Sequence, residues 1–162
     1  MVRWQDLTWP EVGRTVSEMP FALLPFGAIE EHGPHLPLGT DALAAGSLAS
    51  LICDAADIIE LPVMPYGQVW SLEHFDGSLS VSDDTLISLV LELAQGLERV
   101  GVKGIVLLSA HLGNAAASQE GQSSTRGARW NTRPGNHVSR PLRGCSRSAR
   151  SAGEPSRDHA RR

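Results

Sequence analysis

Three short apolar runs punctuate the first part of the chain: FALLPF at residues 21–26, IIELPV at 58–63 and GIVLLS at 104–109. Each has the length of a strand and is followed by turn-forming residues. Between the first two, TDALAAGSLASLICDAAD repeats Leu43, Ser47, Leu51 and Ala55 at helical spacing behind a start at Thr40 or Asp41, which predicts a helix. A second helix is predicted between Ser82 and Gly101. Ser82, Asp83 and Asp84 offer N-caps, Leu86, Val90, Leu93, Leu97 and Val100 form one apolar stripe, and Gly101 supplies a left-handed stop.

The resulting order is strand, helix, strand, loop, helix, strand. Such alternation predicts an α/β fold, a parallel sheet flanked by helices with its three strands side by side or nearly so. Every polar cluster of interest comes directly after a strand. In open sheets of this kind the carboxyl ends of the strands form the ligand crevice, so these loops are expected to converge.

From Ala115 onward the periodicity ends. Residues 115–162 are dominated by Arg, Ser, Gly and Pro, with Trp130, Val138 and Leu142 as nearly their only large apolar side chains. Ordering backbone costs about 1–2 kcal/mol per residue, which this composition does not offset, so a disordered tail is expected. Charge divides at the same place. Residues 1–114 hold four Lys or Arg against fifteen acids, a formal −11, and residues 115–162 hold ten Arg against three acids, a formal +7. We read the organisation as an incomplete α/β domain over 1–114 followed by a stretch translated in a shifted frame of a GC-rich gene. The competing reading is a non-catalytic binding module whose basic tail contacts nucleic acid. Trp130 is its one aromatic and no nucleic-acid module is recognisable, so nucleic acid is not the expected partner.

Cys53 and Cys145 lie in the two dissimilar segments without CxxC spacing, so neither a disulfide framework nor a thiolate metal site follows. The N-terminal residues lack an apolar run of signal-peptide length, and no stretch approaches the roughly 18 apolar residues of a membrane span, so a cytoplasmic location without membrane contact is expected.

The candidate chemistry concentrates in GAIEEHGPHLPLGTD, residues 27–41, which gathers Glu30, Glu31, His32, His35 and Asp41 directly after a predicted strand. Carboxylates mixed with imidazoles and no cysteine suit zinc, manganese or iron, whereas magnesium and calcium favour oxygen alone. In an extended segment Glu30 and His32 point to one side, and Asp41 arrives at a helix start near the same strand end. Thr40 and Asp41 equally suit a plain helix cap. His35 is assigned either an orienting hydrogen bond to a ligand or simple loop packing. Tyr66 and His74, with Trp70 and Phe75, are candidates for a substrate pocket or for core and loop structure.

The run LPFGAIEEHGPHLPLGTD closely resembles the N-terminal signature of the creatininase family, a Pro-x-Gly-x-x-Glu-x-His-Gly-x-His-Leu-Pro pattern ending in Thr-Asp. GIVLLSAHLGN is similar to that family's strand and Asn-Gly-His-Gly-x-Asn loop. Between them PYGQVWSLEHFDGSLSVS resembles its Tyr-Gly, Glu-His and Gly-Thr segment, here with Gly77 and Ser78. Together the three motifs cover roughly residues 21–114. The resemblance implies a creatininase-like α/β/α fold and a homo-oligomer. It also implies two divalent metal ions, zinc first, with manganese or iron as alternatives: Glu30 and His111 on one metal, His32 on the second and Asp41 bridging both. The implied activity is metal-dependent hydrolysis of a non-peptide C–N bond in a small-molecule substrate such as a cyclic amide or formamide, with a short peptide as the other possibility. Ser109 and Ala110 replace the family's Asn-Gly before His111, and Gly113 stands where some members carry a Glu ligand. Family members are also longer, so the chain is expected to be truncated, and activity of this form is in question.

Overall fold

A computed structural model describes residues 1–115. The disordered, shifted-frame tail expected over 115–162 lies outside the described residues, apart from Ala115.

Four strands form one sheet: β1 (Val2–Arg3), β2 (Phe21–Phe26), β3 (Ile59–Glu60) and β4 (Gly104–Ser109), all parallel and in the order β1-β3-β2-β4. The three strands expected from the apolar runs are neighbours, with β2 central. β3 is shorter than its run because Pro62 has no N–H to give to the ladder. The chain nevertheless continues beside β2: the Leu61 N–H donates to the Leu23 carbonyl and the Met64 N–H to the Pro25 carbonyl, both at 2.9 Å.

Side chains alternate across β2 and divide the core in two. Ala22, Leu24 and Phe26 join Ile59 and the buried residues of α1 (Trp9–Glu18) and α3 (Asp83–Arg99) on one face. On the other face Leu23 packs with Ala49 and Cys53 of α2 (Thr40–Ala55). The result is the expected α/β/α layering. No helix among the described residues is long and apolar enough to cross a membrane.

Helix α1 and strand β1 were not anticipated. The start of α1 is nonetheless written in the sequence: Pro10 lies in its first turn, and the Glu11 carboxylate accepts from the Thr8 N–H at 2.7 Å and the Thr8 hydroxyl at 2.6 Å. Helix α3 begins as predicted, with the Ser82 hydroxyl accepting from the Thr85 N–H at 3.3 Å, and Gly101 follows it with φ +102°. Leu86, Val90, Ala94 and Leu97 are its buried row, while Leu93 and Val100 of the expected stripe are exposed.

Helix α2 starts at the predicted Thr40 and ends at Ala55, just short of the predicted stretch, and the row that faces the sheet is Asp41, Ala45, Ala49 and Cys53. Leu43 and Leu51, whose spacing indicated the helix, point outward and are 64% and 67% exposed. Small residues let the helix lie close to the sheet. A Cβ on Gly27, just beyond β2, would collide with the Ala42 backbone. This close approach carries the first turn of α2 to the carboxyl end of β2.

Candidate functional site

The loop after β2 is pinned at several points. The Glu30 N–H donates to the Leu38 carbonyl at 3.0 Å, the Leu79 N–H donates to the Ile29 carbonyl at 2.9 Å, and the Glu31 N–H donates to the Ser78 hydroxyl at 3.1 Å. The Glu31 carboxylate accepts from the Gly33 N–H within the turn, which uses it structurally. Glu30 and His32 are thereby left to face Asp41, in the first turn of α2, and His111, just after β4.

These four side chains converge. One ligand atom each from Glu30, His32 and Asp41 lies within 4.8 Å of the others. His32 Nε2 is 3.1 Å from Asp41 Oδ1, while His111 Nδ1 is 2.9 Å from Asp41 Oδ2 and 3.1 Å from Glu30 Oε1. Asp41 therefore presents a different oxygen to each imidazole. Glu30, Asp41 and His111 are buried and His32 is half-buried.

The other nitrogen of each ring faces a backbone carbonyl: His32 Nδ1 lies 3.1 Å from the Glu30 oxygen and His111 Nε2 lies 2.7 Å from the Gln68 oxygen. A carbonyl has no proton to give, so each of these nitrogens must donate. In the neutral rings, the nitrogens turned toward Asp41 then carry lone pairs against a carboxylate. Two acceptors at such distances need a cation between them, either a proton or a metal. Asp41 Oδ2 points the same way, since it is buried without a hydrogen-bond partner even though His111 Nδ1 is close; proximity here is not hydrogen-bond alignment.

Electrostatics fit this picture. Burial pushes the Glu30 carboxyl above its ordinary value, opposed by His111 and reinforced by the nearby Asp41 charge. The hydrogen bond to the Glu30 carbonyl pushes the His32 imidazole up, with burial opposing it and Asp41 adding to it. Two carboxylates and two imidazole lone pairs directed at one small volume form a donor set that a divalent cation satisfies.

Beside the cluster opens a cleft of about 460 Å³ lined by Glu30, Asp41, Gln68, Trp70, Ser71, Leu72, Ala110, His111, Leu112 and Gly113. Tyr66 and His74, the expected pocket residues, are not in its wall. Both are exposed, and the His74 ring packs on Phe75 with centroids 4.3 Å apart. Trp70 occupies the place in the pocket instead. His35 is also exposed, close to Gly33, and makes no hydrogen bond to the four cluster residues among those described.

Three contributors escaped the sequence reading. Gln68 acts through its backbone carbonyl, a role that leaves no trace in residue type. The Ser109 hydroxyl donates to the His111 carbonyl at 2.8 Å and accepts from the His111 N–H at 3.2 Å. Asn114, fully buried, accepts from the Gln68 N–H through Oδ1 and donates from Nδ2 to the Gly27 carbonyl, both at 3.0 Å. A polar residue closing the HLGN run was the available signal. Gly113 also has a physical requirement: a Cβ there would collide with the Gln68 carbonyl and His111 Nε2.

Fold and cluster together define an α/β protein with a histidine–carboxylate centre at the carboxyl edge of a parallel sheet. The family model described as creatinine amidohydrolase matches residues 5–161, and the chain belongs to the creatininase family. Among curated relatives, it is 32% identical over 107 residues to a mycofactocin precursor peptide peptidase of Mycolicibacterium smegmatis, covering 62% of this chain and 43% of the relative. It is 29% identical over 122 residues to a creatinine amidohydrolase of Pseudomonas putida, covering 72% of this chain and 47% of the relative. A crystal structure of creatinine amidohydrolase (creatininase) superimposes with a TM-score of 0.73 at 29% identity, covering 80% of this chain and 52% of that one. Related creatininase structures are described as "Zn-Zn type" and "Mn". The chain spans about half the length of the relatives it matches. Family members with these names are hydrolases, and the peptidases among them act on a peptide, the alternative that stood beside the non-peptide C–N bond in the sequence reading.

Proposed function

We propose that the centre belongs to a metal-dependent amidohydrolase that cleaves a C–N bond in a small cyclic amide, a formamide or a short peptide. The observation that carries this reading is the arrangement around Asp41, with each oxygen toward one imidazole nitrogen whose ring partner donates to a backbone carbonyl. Glu30 and His111 would hold one divalent ion, His32 a second, and Asp41 both, with zinc first and manganese or iron as alternatives. When bound, such ions supply Lewis acidity toward an amide carbonyl.

The chain's own residues supply the rest. The Gln68 and Glu30 carbonyls fix both imidazoles in the tautomers that direct a lone pair inward. Glu30 and Asp41, buried and adjacent, hold negative charge that favours a cation over an empty centre. Trp70 and Leu72 line the cleft on the substrate side and displace water from an entering amide. A cytoplasmic small molecule or peptide fits this site better than nucleic acid, because residues 1–114 carry only four basic side chains against fifteen acids.

Metal analysis of the purified full chain beside an Asp41→Ala variant tests the proposal. The expected result is zinc or manganese in the first and a large loss in the second, because one substitution removes a shared ligand. Equal and negligible metal in both would remove the main support.

A further inference from the structure

Asn114 is fully buried, carries no charge and touches none of the four cluster side chains through a hydrogen bond, yet three of its bonds end on the segments that build the centre. Its Oδ1 accepts from the Gln68 N–H at 3.0 Å. Its Nδ2 donates to the Gly27 carbonyl at 3.0 Å and reaches the Ser109 hydroxyl at 3.5 Å. Gly27 follows β2, Ser109 ends β4, and Gln68 lies in the connection between β3 and α3. One amide thus ties together the three loops at the carboxyl edge.

The Asn114 N–H also donates to the His111 carbonyl at 3.3 Å, and the connection to the His111 ring runs through Gln68. The same Gln68 whose N–H is held by Asn114 offers its carbonyl to His111 Nε2 at 2.7 Å. That contact places the imidazole proton on Nε2 and leaves Nδ1 toward Asp41 and Glu30. Ser109, hydrogen-bonded to the His111 backbone at both its N–H and its carbonyl, fixes the main chain from which the ring projects. Gly113 leaves room for the Gln68 carbonyl to approach.

From this geometry we infer that Asn114 is a positioning residue for His111: by holding the Gln68 backbone it selects the tautomer and direction of the imidazole. The inference rests on the metal-centre reading for its consequence, metal affinity, but not for its first effect, which is present without metal. Removing such an outer partner typically lowers metal affinity by about 10- to 100-fold.

The test uses the full 162-residue chain, metal-stripped, and reads the tautomer of His111 from the nitrogen-15 shifts and couplings of its ring. In the unsubstituted protein, read at a pH high enough for the ring to be neutral, the Nε2–H form should dominate over the Nδ1–H form. In Asn114→Ala the ring should become a mixture of tautomers, and zinc titration should show the roughly 10- to 100-fold weaker binding expected for a lost outer partner. Asn114→Asp keeps an acceptor for the Gln68 N–H and should retain more of the Nε2–H form. Val90→Ala, a core truncation on the opposite face of the sheet, controls for general destabilisation and should leave the tautomer unchanged. An Nδ1–H ring in the unsubstituted protein overturns the inference even if every variant fails to fold. So does an Nε2–H ring that is the same in Asn114→Ala as in the parent. Tautomer loss without any zinc binding in the parent would support the positioning role and defeat the metal-centre reading instead, so the two failures are distinguishable.

Discussion

Replacing Gly113 by alanine adds one methyl group at a position with no room for it. The new Cβ would run into the Gln68 carbonyl and His111 Nε2, the two groups that hydrogen-bond at 2.7 Å. To relieve the clash the pair must separate. A lost bond of this kind contributes about 0.5–1.5 kcal/mol, and forcing a methylene-sized group into filled space costs about 1–3 kcal/mol. Together the destabilisation should be about 2–4 kcal/mol, a large part of the roughly 5–15 kcal/mol of a typical domain. With an m-value of about 2 kcal/mol/M, the middle of the usual range, the urea midpoint should fall by about 1–2 M. Zinc binding should weaken as well, because the ring that turns is the one facing Asp41 and Glu30. Gly13→Ala is the matched control: it lies in α1 with nothing near its added Cβ, and should stabilise by about 0.5–1 kcal/mol through helix propensity. A Gly113→Ala protein with the parent's urea midpoint and the parent's zinc affinity would refute the reasoning.

Three further expectations follow from particular contacts. In the metal-free protein Glu30 is raised above 4.5 and His32 above 6.5, so the folded state binds more protons than the unfolded one; stability should fall as pH rises above those values, whereas with zinc present it should rise, because metal and protons compete for the same atoms. Urea unfolding at several pH values, with chelator or with zinc, checks this, and equal slopes in the two series would contradict it. Ser82→Ala removes the N-cap of α3 and should cost about 1 kcal/mol in the same assay, with no change in zinc affinity. The outward Leu43 and Leu51 of α2 should promote self-association, measurable by sedimentation, and a Leu43→Glu/Leu51→Glu double variant should sediment as a smaller species; identical sedimentation would show that this face is not used.

Much of the architecture was legible because β2 and β4 are continuous apolar runs bounded by turn residues; β2 is buried on both faces, as such runs usually are, while Val106 and Ser109 of β4 stay exposed. The start of α3 was legible in Ser82 and its end in Gly101. The face of α2 was misread for a definite reason. Its apolar residues go almost all the way round, so large side chains at helical spacing do not mark the buried side; the sheet is met by Ala45, Ala49 and Cys53, and the leucines are left outside. β1 escaped because two residues hold no periodicity. At the centre, Glu30, His32, Asp41 and His111, each named from the motifs, lie within ion-pair distance of one another through Asp41 and Glu30. The carbonyls of Glu30 and Gln68 that orient the rings had no signature, since any residue supplies a carbonyl. Tyr66 and His74 were singled out by residue type, but the fold of the loop turns Trp70 and the Gln68 backbone toward the cleft instead.

The same small residues that obscure the buried face of α2 make the centre geometrically possible. A leucine at position 45 or 49 would lift the helix from the sheet, and a side chain on Gly27 would push its first turn away from the end of β2. Either shift would separate Asp41 from the two imidazoles, whose approach to its oxygens is fixed to about 3 Å. Asp41 also lies in the first turn of α2, where the unpaired N–H groups favour a negative charge and offset part of the cost of burying a carboxylate beside Glu30. His111 comes to the same point from β4, the neighbour of β2 on its other side, and its direction is taken from a backbone carbonyl rather than from its own rotamer alone. Packing of glycine and alanine along one interface therefore decides where the carboxylate stands, and hydrogen bonds to main-chain oxygens decide how the imidazoles meet it. The charged residues form the cluster, but uncharged ones set its geometry, which is why substitutions at Gly27, Gly113 or Asn114 should alter the centre without changing a single cluster side chain.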